Sequence, residues 1–312
     1  MADKKATRNA YGEALAELGA NNEFLVMDAD LSKSTMTATF KKVFPERFIN
    51  TGIAEGNMMS VAAGIATTGM PVFCSSFAMF AAGRAFEQVR NAIGYPHLNV
   101  KIGATHAGMS VGEDGATHQC CEDIALMASI PGMTVLSPAD EFETKAVVKA
   151  ALEIDGPVYL RLGRLAVEPL YDENYKFELG KAHTLKEGND VTIIATGLMV
   201  YEALKAHELL KAEGISARVI DMASLKPIDK DAIIKASKET GAIVTAEEHN
   251  VYGGLGSLVA SVVCENAPCT VLKVGVEDKF GKSGKVAAVL EYFGLTAENI
   301  ANNCKKAISL KK

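Results

Sequence analysis

The sequence predicts an α/β protein of two consecutive domains, each a mostly parallel sheet flanked by helices. Three observations carry this. Short β-rich runs alternate with helical segments through the first half, which calls for a largely parallel sheet covered by helices. A polar, irregular stretch then breaks the pattern, and a second βα series follows it. The 312 residues also suffice for two ordinary domains with buried cores. The predicted division is 1–165, a linker over 166–188, and 189–312.

In the first domain, strands are expected at Phe24 to Met27, Val72 to Cys74, Val100 to Gly103, Thr134 to Leu136 and Val158 to Leu160. Helices are expected between them at Gly56 to Thr68, Phe80 to Ile93, Glu122 to Ser129 and Asp140 to Ile154, the last with Asp140 as cap. The linker follows from Pro169, Asp172, Glu173, Asn174, Gly180 and Gly188. Beyond it, Val191 to Ala195 reads as a strand, and Val200, Ala203, Leu204 and Leu210 mark one face of a helix ended by Gly214. Ala217 to Ile220 is another strand, Asp229 caps a helix through Ser237, and Ala242 to Ala246 is a third strand. The turn Gly253-Gly254-Leu255-Gly256 opens a further helix, whose N-terminal amides could hold an anion. It lacks the order of a dinucleotide fingerprint and the lysine of a P-loop, so it reads more simply as a tight turn.

A composition of 48% hydrophobic and 22% charged residues is that of a globular chain. The net charge of -6, with no basic stripe interleaved with aromatics, argues against nucleic acid as a partner. No apolar run approaches the roughly 20 residues that span a bilayer, so no membrane partner is expected. Six cysteines without a Cys-x-x-Cys pair or zinc-like spacing fit a reduced, cytoplasmic compartment.

The densest chemistry lies in Thr105 to Gln119, where two histidines, two carboxylates, three glycines and several hydroxyls follow an apolar run. Glycines let backbone approach a ligand closely, and His and Asp supply donors and acceptors for hydroxyls or phosphate, so a polar sugar is the ligand class suggested. Two further segments also sit just after strands, where open α/β sheets bind ligands. Asn50 to Asn57 carries Glu55 at a helix start, and Ser75 to Arg84 carries Phe77 and Phe80 at helical spacing. Singly, Glu55 reads as a first-turn acid, the rings as core and the histidines as scaffold.

Together and in this order, the segments closely resemble the C-terminal half of the transketolase family of thiamine diphosphate enzymes. The resemblance rests on Gly-Ile-x-Glu, Phe-x-x-Phe-Ala-Ala-Gly and Val-Gly-Glu-Asp-Gly-x-Thr-His-Gln. It continues through Ser-Ile-Pro-Gly-Met-Thr-Val-x-x-Pro-Ala-Asp and Thr-Ala-Glu-Glu-His with its Gly-Gly-x-Gly, covering essentially the whole chain. It implies a pyrimidine-binding domain followed by a transketolase C-terminal domain. Glu55 is then the catalytic proton relay at N1' of the cofactor's aminopyrimidine, in a setting where burial lets a carboxyl share a proton. Phe77 and Phe80 would stack on that ring, with Asp30 and Ile53 as further cofactor contacts. Ser34, His106 and Arg164 would hold the sugar phosphate, with Arg161 as the competing arginine. Asp114 would select a sugar hydroxyl, and His118, with His106 a catalytic candidate, would serve the reacting oxygen.

Two positions depart from the pattern: Gly56 stands where many relatives carry His or Gln, and Cys74 where some have a third aromatic residue. A larger departure is the missing Gly-Asp-Gly, which in the family holds Mg²⁺ and, through it, the diphosphate. The resemblance therefore implies one subunit of a split enzyme, without metal ligands of its own. Its partner would be a separate N-terminal, diphosphate-binding transketolase subunit in an α₂β₂ assembly. The half-fold also serves 1-deoxyxylulose-5-phosphate synthase and the β subunits of 2-oxoacid dehydrogenases. Glu113 in Gly-Glu-Asp-Gly matches transketolase, where the synthase usually has Ala. A non-catalytic relative would have no physical need to keep Glu55, His106, Asp114 and His118 together.

Overall fold

Runs such as Val-Phe-Cys-Ser-Ser-Phe have no polar face to give to water, so they belong in a sheet covered on both sides. The computed structural model, which describes residues 4–311, places them so. The larger sheet has the order Ser224–Lys226, Thr134–Leu136, Val158–Arg161, Val100–Thr105, Val72–Phe77, Leu25–Asp28, Phe48–Asn50. All neighbours are parallel except the edge strand Ser224–Lys226, which comes from the second half of the chain. Side chains alternate between the two covered faces. Met27, Cys74, Val135 and Tyr159 pack under the helix Glu55–Ala66 and residues 79–94. Val26, Phe73, Leu136, Val158 and Leu160 pack under the helices Thr7–Gly19 and Glu141–Glu153.

The expected strands all appear, several of them longer: Val72–Phe77 and Val100–Thr105 run two or more residues further toward the crevice. Phe48–Asn50, short and half exposed, lies outside the expected set. The continuous helix expected over Phe80 to Ile93 is instead two π-helical segments, Met79–Arg84 and Val89–Gly94, flanking one α turn, Phe86–Gln88. Wide i→i+5 bonds, Ala85 N–H to the Phe80 carbonyl (3.1 Å) and Tyr95 N–H to the Arg90 carbonyl (2.8 Å), replace regular ones. The side chains of Ala81, Ala82 and Gly83 are small enough to let the turn widen, and such bulges re-aim nearby side chains.

The second sheet has the order Thr270–Val276, Ala242–Asn250, Val191–Ala195, Ala217–Asp221, His183–Lys186, parallel except for the last strand. Helices Met199–Ala212 and Ala297–Ser309 cover it through Val200, Ala203, Ile300 and Cys304. Asp140 and Asp229 cap their helices as expected, accepting from Glu143 N–H (2.8 Å) and Ala232 N–H (3.0 Å). The stretch expected to be irregular, 166–188, contributes two short strands: Ala166–Val167, paired with Lys5–Ala6, and the edge strand His183–Lys186.

Two buried carboxyls meet where the domains join. Glu143 lies on the helix Glu141–Glu153 of the first domain, and Asp221 ends a strand of the second. They face each other, Tyr175 Oη donates to Glu143 (2.6 Å), and Tyr171 Oη donates to Asp221 (2.8 Å). The groups facing the pair, Asp140, Tyr171, Tyr175 and Tyr201, bring no cation. Burial, reinforced by the neighbouring acids, pushes Glu143 up to about 7 and Asp221 well above the carboxylate range, so the pair keeps a proton near neutrality. A folded-state pKa raised above the unfolded one gives stability that is present in acid and lost as pH rises through the folded value. The melting temperature of the chain should therefore fall between about pH 5 and pH 8. Asp221→Asn, which carries permanent N–H donors, should flatten that fall; equal slopes for variant and wild type in thermal scans would show that no proton is shared here.

Candidate active site

In an open parallel sheet the strand ends leave a crevice at the carboxyl side. Here Asp28–Asp30, Asn50–Glu55, Phe77–Phe80 and Thr105–His118 each follow directly on such an end. Glu55 opens its helix, where the helix dipole favours an acid, and is 2% exposed. Arg84 donates to its Oε2 at 2.9 Å and lies over the Phe80 ring, 4.5 Å from the centroid. The carboxylate thus faces a cation in addition to the apolar surroundings expected from sequence, and a flat ligand reaching Glu55 along Phe80 meets that guanidinium. Phe77 and Phe80 are nearly parallel with centroids 6.0 Å apart. At the departing position, the Gln88 amide lies 3.1 Å from where a Gly56 Cβ would be, so it fills the space of the absent side chain. Cys74 is fully buried in the core, on the face under the helix Glu55–Ala66.

The aromatic pair joins Glu55 to the histidines. His106 stacks on Phe77 at 3.8 Å between centroids, and His118 meets Phe80 edge-on at 5.3 Å. His106 holds a positive φ of 58° and is 3% exposed. Arg8 Nη1 donates to its Nε2 at 3.0 Å, which leaves Nδ1 to donate to Thr105 Oγ1 at 2.9 Å. Burial first, and then the charges of Arg8 and Arg164, hold this imidazole down to about 3, so it is neutral and works as an acceptor. Arg8 also donates to the Ser34 carbonyl at 2.9 Å. Arg164 donates to the Val111 carbonyl and stands 3.7 Å from Glu113 and 3.9 Å from Asp114. His118 pairs its Nδ1 with Thr117 Oγ1 at 2.9 Å.

Asp30 lies at the rim with φ 64°; Asn50 accepts from its N–H (3.1 Å) and donates to its carboxylate (3.0 Å). Asn50 also accepts from Gly52 N–H at 3.0 Å, shaping the turn that presents Ile53, 78% exposed. Beneath them Asp28, fully buried and pushed up by that burial, accepts from Leu31 N–H, Thr35 and Thr37 and fixes the loop that carries Ser34.

The two competing arginines separate cleanly. Arg161 is buried and donates to Asp123 (2.9 Å) and to the Glu248 carbonyl (2.9 Å). Arg164 is the one beside Asp114. The Thr-Ala-Glu-Glu-His segment is scaffold: Glu248 accepts from Ser110 N–H (2.7 Å), and His249 Nε2 accepts from Ala125 N–H (3.3 Å). Glu247 accepts from Leu255 N–H (2.6 Å) and Gly256 N–H (2.8 Å), so the glycine turn's helix N-terminus already holds an anion, the protein's own. Sequence reasoning missed Arg8, and it quoted Asn50 within a segment without giving it a role. Arg8 meets His106 across 98 residues with no local mark, whereas Arg84 stood inside a quoted segment.

Fold and site together define a two-domain α/β protein whose crevice combines a buried carboxylate, stacked rings and paired cations. The family model for the transketolase pyrimidine-binding domain matches residues 3–169, and that for the transketolase C-terminal domain matches 180–300. A transketolase C-terminal section from Methanocaldococcus jannaschii is 54% identical over 95% of this chain and 94% of its own. Human transketolase is 39% identical over 99% of this chain, which spans 50% of the human protein. A solved structure named as a split gene transketolase, inactive beta4 tetramer, is 54% identical, with a TM-score of 0.91 over 99% of this chain and 100% of the other. The chain belongs to the transketolase family, as the C-terminal section of a split transketolase.

The structural and site arginines should part in unfolding experiments. Arg161→Leu leaves Asp123 buried without its cation and should cost about 3–5 kcal/mol in urea denaturation. Arg164→Leu, partly exposed, should change stability by less than about 1 kcal/mol. Equal losses would mean that Arg161 carries no more of the frame than Arg164 does.

Proposed function

We propose that this chain forms the aminopyrimidine- and sugar-binding half of a thiamine diphosphate-dependent transketolase that moves a two-carbon ketol unit from a ketose phosphate to an aldose phosphate. The observation that carries the reading is a single line of contacts, Glu55–Arg84–Phe80–His118 and Phe77–His106–Arg8. It sets a buried carboxylate, flat ring faces and a cationic pocket side by side.

The donor set fits an aminopyrimidine: a carboxylate oxygen can exchange a proton with a ring nitrogen, and the Phe faces hold a planar ring without competing for its nitrogens. Bound thiamine diphosphate supplies the carbon nucleophile that takes up the ketol unit. Glu55 holds and returns the proton at the aminopyrimidine, and Ile53 and Asp30 border that ring's place. Arg8 and Arg164 bind the sugar phosphate, with Ser34 beside them, and neutral His106 sets the Arg8 fork rather than adding charge. Asp114 accepts from a sugar hydroxyl and so rejects the wrong stereoisomer, which would leave it unpaired. His118 donates to the reacting oxygen and carries protons during cleavage and transfer.

Among the described residues no group of three or more His, Cys, Asp or Glu side chains is placed to hold a metal ion. Mg²⁺ and the diphosphate would be held by a separate N-terminal subunit bearing Gly-Asp-Gly, in an α₂β₂ assembly in the cytoplasm. The similar chain named as an inactive beta4 tetramer supports self-association when that partner is missing.

Mixing chain, partner, Mg²⁺ and thiamine diphosphate should give ketol transfer from a ketose phosphate, and turnover with pyruvate instead would overturn the substrate assignment. In the same complex Glu55→Gln should lose about 10²–10⁴-fold in kcat while melting near the wild-type temperature. Arg8→Ala and Arg164→Ala should each raise KM for the ketose phosphate by about 10–100-fold and leave the dephosphorylated sugar unaffected.

A further inference from the structure

The loop that carries Asp114 and His118 has little regular structure of its own. Met109–Asp114 is a 3-10 turn kinked at Gly112 (φ 76°), so its shape depends on what it is tied to. One buried side chain makes most of the tie. The Gln119 amide, 4% exposed, places Nε2 3.3 Å from the Met109 carbonyl, 3.3 Å from the Gly112 carbonyl and 3.0 Å from the Lys282 carbonyl. Its Oε1 accepts from Lys282 N–H at 2.8 Å. Lys282 belongs to the second domain, on the segment between the strand Thr270–Val276 and the helix Val286–Tyr292.

The two backbones also close on each other without room for side chains. A Cβ on Gly115 would come within 2.2 Å of Ser283 Oγ, one on Gly112 within 2.9 Å of Val286, and one on Gly281 within 1.9 Å of Gln119 Oε1. From this geometry we infer that the second domain acts as the jig for the sugar-binding loop, with Gln119 as a positioning residue for Asp114 and His118. The inference rests on the sugar-binding role proposed above. The cofactor-facing residues Glu55, Phe77 and Phe80 hang on other elements and meet the clasped loop through the edge of His118, so the clasp acts on sugar chemistry far more than on cofactor binding.

Three variants test it. Gln119→Glu keeps the acceptor for Lys282 N–H and loses the donors, Gln119→Ala loses both, and Gly281→Ala pushes on the clasp from the second domain only. In the isolated chain, amide hydrogen exchange of Ser110–His118 should speed up in all three, most in Gln119→Ala, while Glu55–Ala66 keeps its protection. In the complex with the partner subunit, kcat should drop about 10-fold or more, since small misplacements of catalytic groups cost that much. The apparent affinity for thiamine diphosphate should stay within about two-fold of wild type, inside what a 0.5 kcal/mol change allows. Wild-type exchange of the loop in both Gln119→Ala and Gly281→Ala would overturn the inference. So would a loss of cofactor affinity equal to the loss in kcat. A wild-type complex without ketol transfer would instead sink the functional reading, and the exchange experiment would still decide the clasp.

Discussion

The buried Arg161–Asp123 pair is the interaction on which the site's frame depends. Two charges taken out of water cost several kcal/mol each, and the attraction between them offsets this better the more hydrogen bonds each keeps. Here Arg161 Nη2 also donates to the carbonyls of Glu248 and Cys120, and Tyr159 Oη gives Asp123 Oδ2 a second donor at 2.9 Å, while Asp123 Oδ1 is buried without a hydrogen-bond partner. Cys120 closes the loop that carries Asp114 and His118, Asp123 opens the helix behind it, and Glu248 belongs to the second sheet. One guanidinium therefore joins both domains to the loop. Replacing it with Lys would keep the charge and lose the fork that reaches three partners at once.

Much of this architecture was legible in the sequence because it is local. Asp140 and Asp229 cap the helices that follow them by accepting from N–H groups three residues downstream, and the apolar runs at 72 and 100 needed only to be counted. What was not legible depends on distance along the chain. Nothing around Arg8 marks it as the partner of His106, because their contact exists only once the helix Thr7–Gly19 has packed against the sheet whose strand ends at Thr105. The strand Phe48–Asn50 is too short and too exposed to show alternation, and Ser224–Lys226 is a strand only because Thr134–Leu136 offers it an edge. The Gly253–Gly256 turn shows the limit best. Its sequence admits an anion site, and only the fold reveals that Glu247 fills it from eight residues upstream.

Electrostatics divides the crevice into two regions. Around His106, burial and two arginines keep the ring uncharged, so the positive charge sits on Arg8 and Arg164, whose planar forks match a phosphate. Near Glu55 the cation paired with it is Arg84, and it is mostly solvent-facing, with a side chain 54% exposed. A charge that stays in water can move away from the carboxylate at little cost, whereas Arg8, held by Ser34 and His106, cannot. The arginine pocket beside His106 is preorganised, and the carboxylate's counter-charge is displaceable.

This asymmetry bears on why the proposed site is a half site. Proton exchange at Glu55 benefits from exclusion of water, because a low local dielectric strengthens each contact to the reacting groups. The chain covers Glu55 from below through its own helix and Arg84, yet Ile53, two residues earlier, is 78% exposed, and Phe80 and His118 remain partly open. An apolar side chain on the rim of a polar crevice offers a contact to whatever closes that side. In the proposed assembly the partner that brings the diphosphate clamp also brings this lid, so the metal, the missing wall and the dry environment for Glu55 arrive in a single association step.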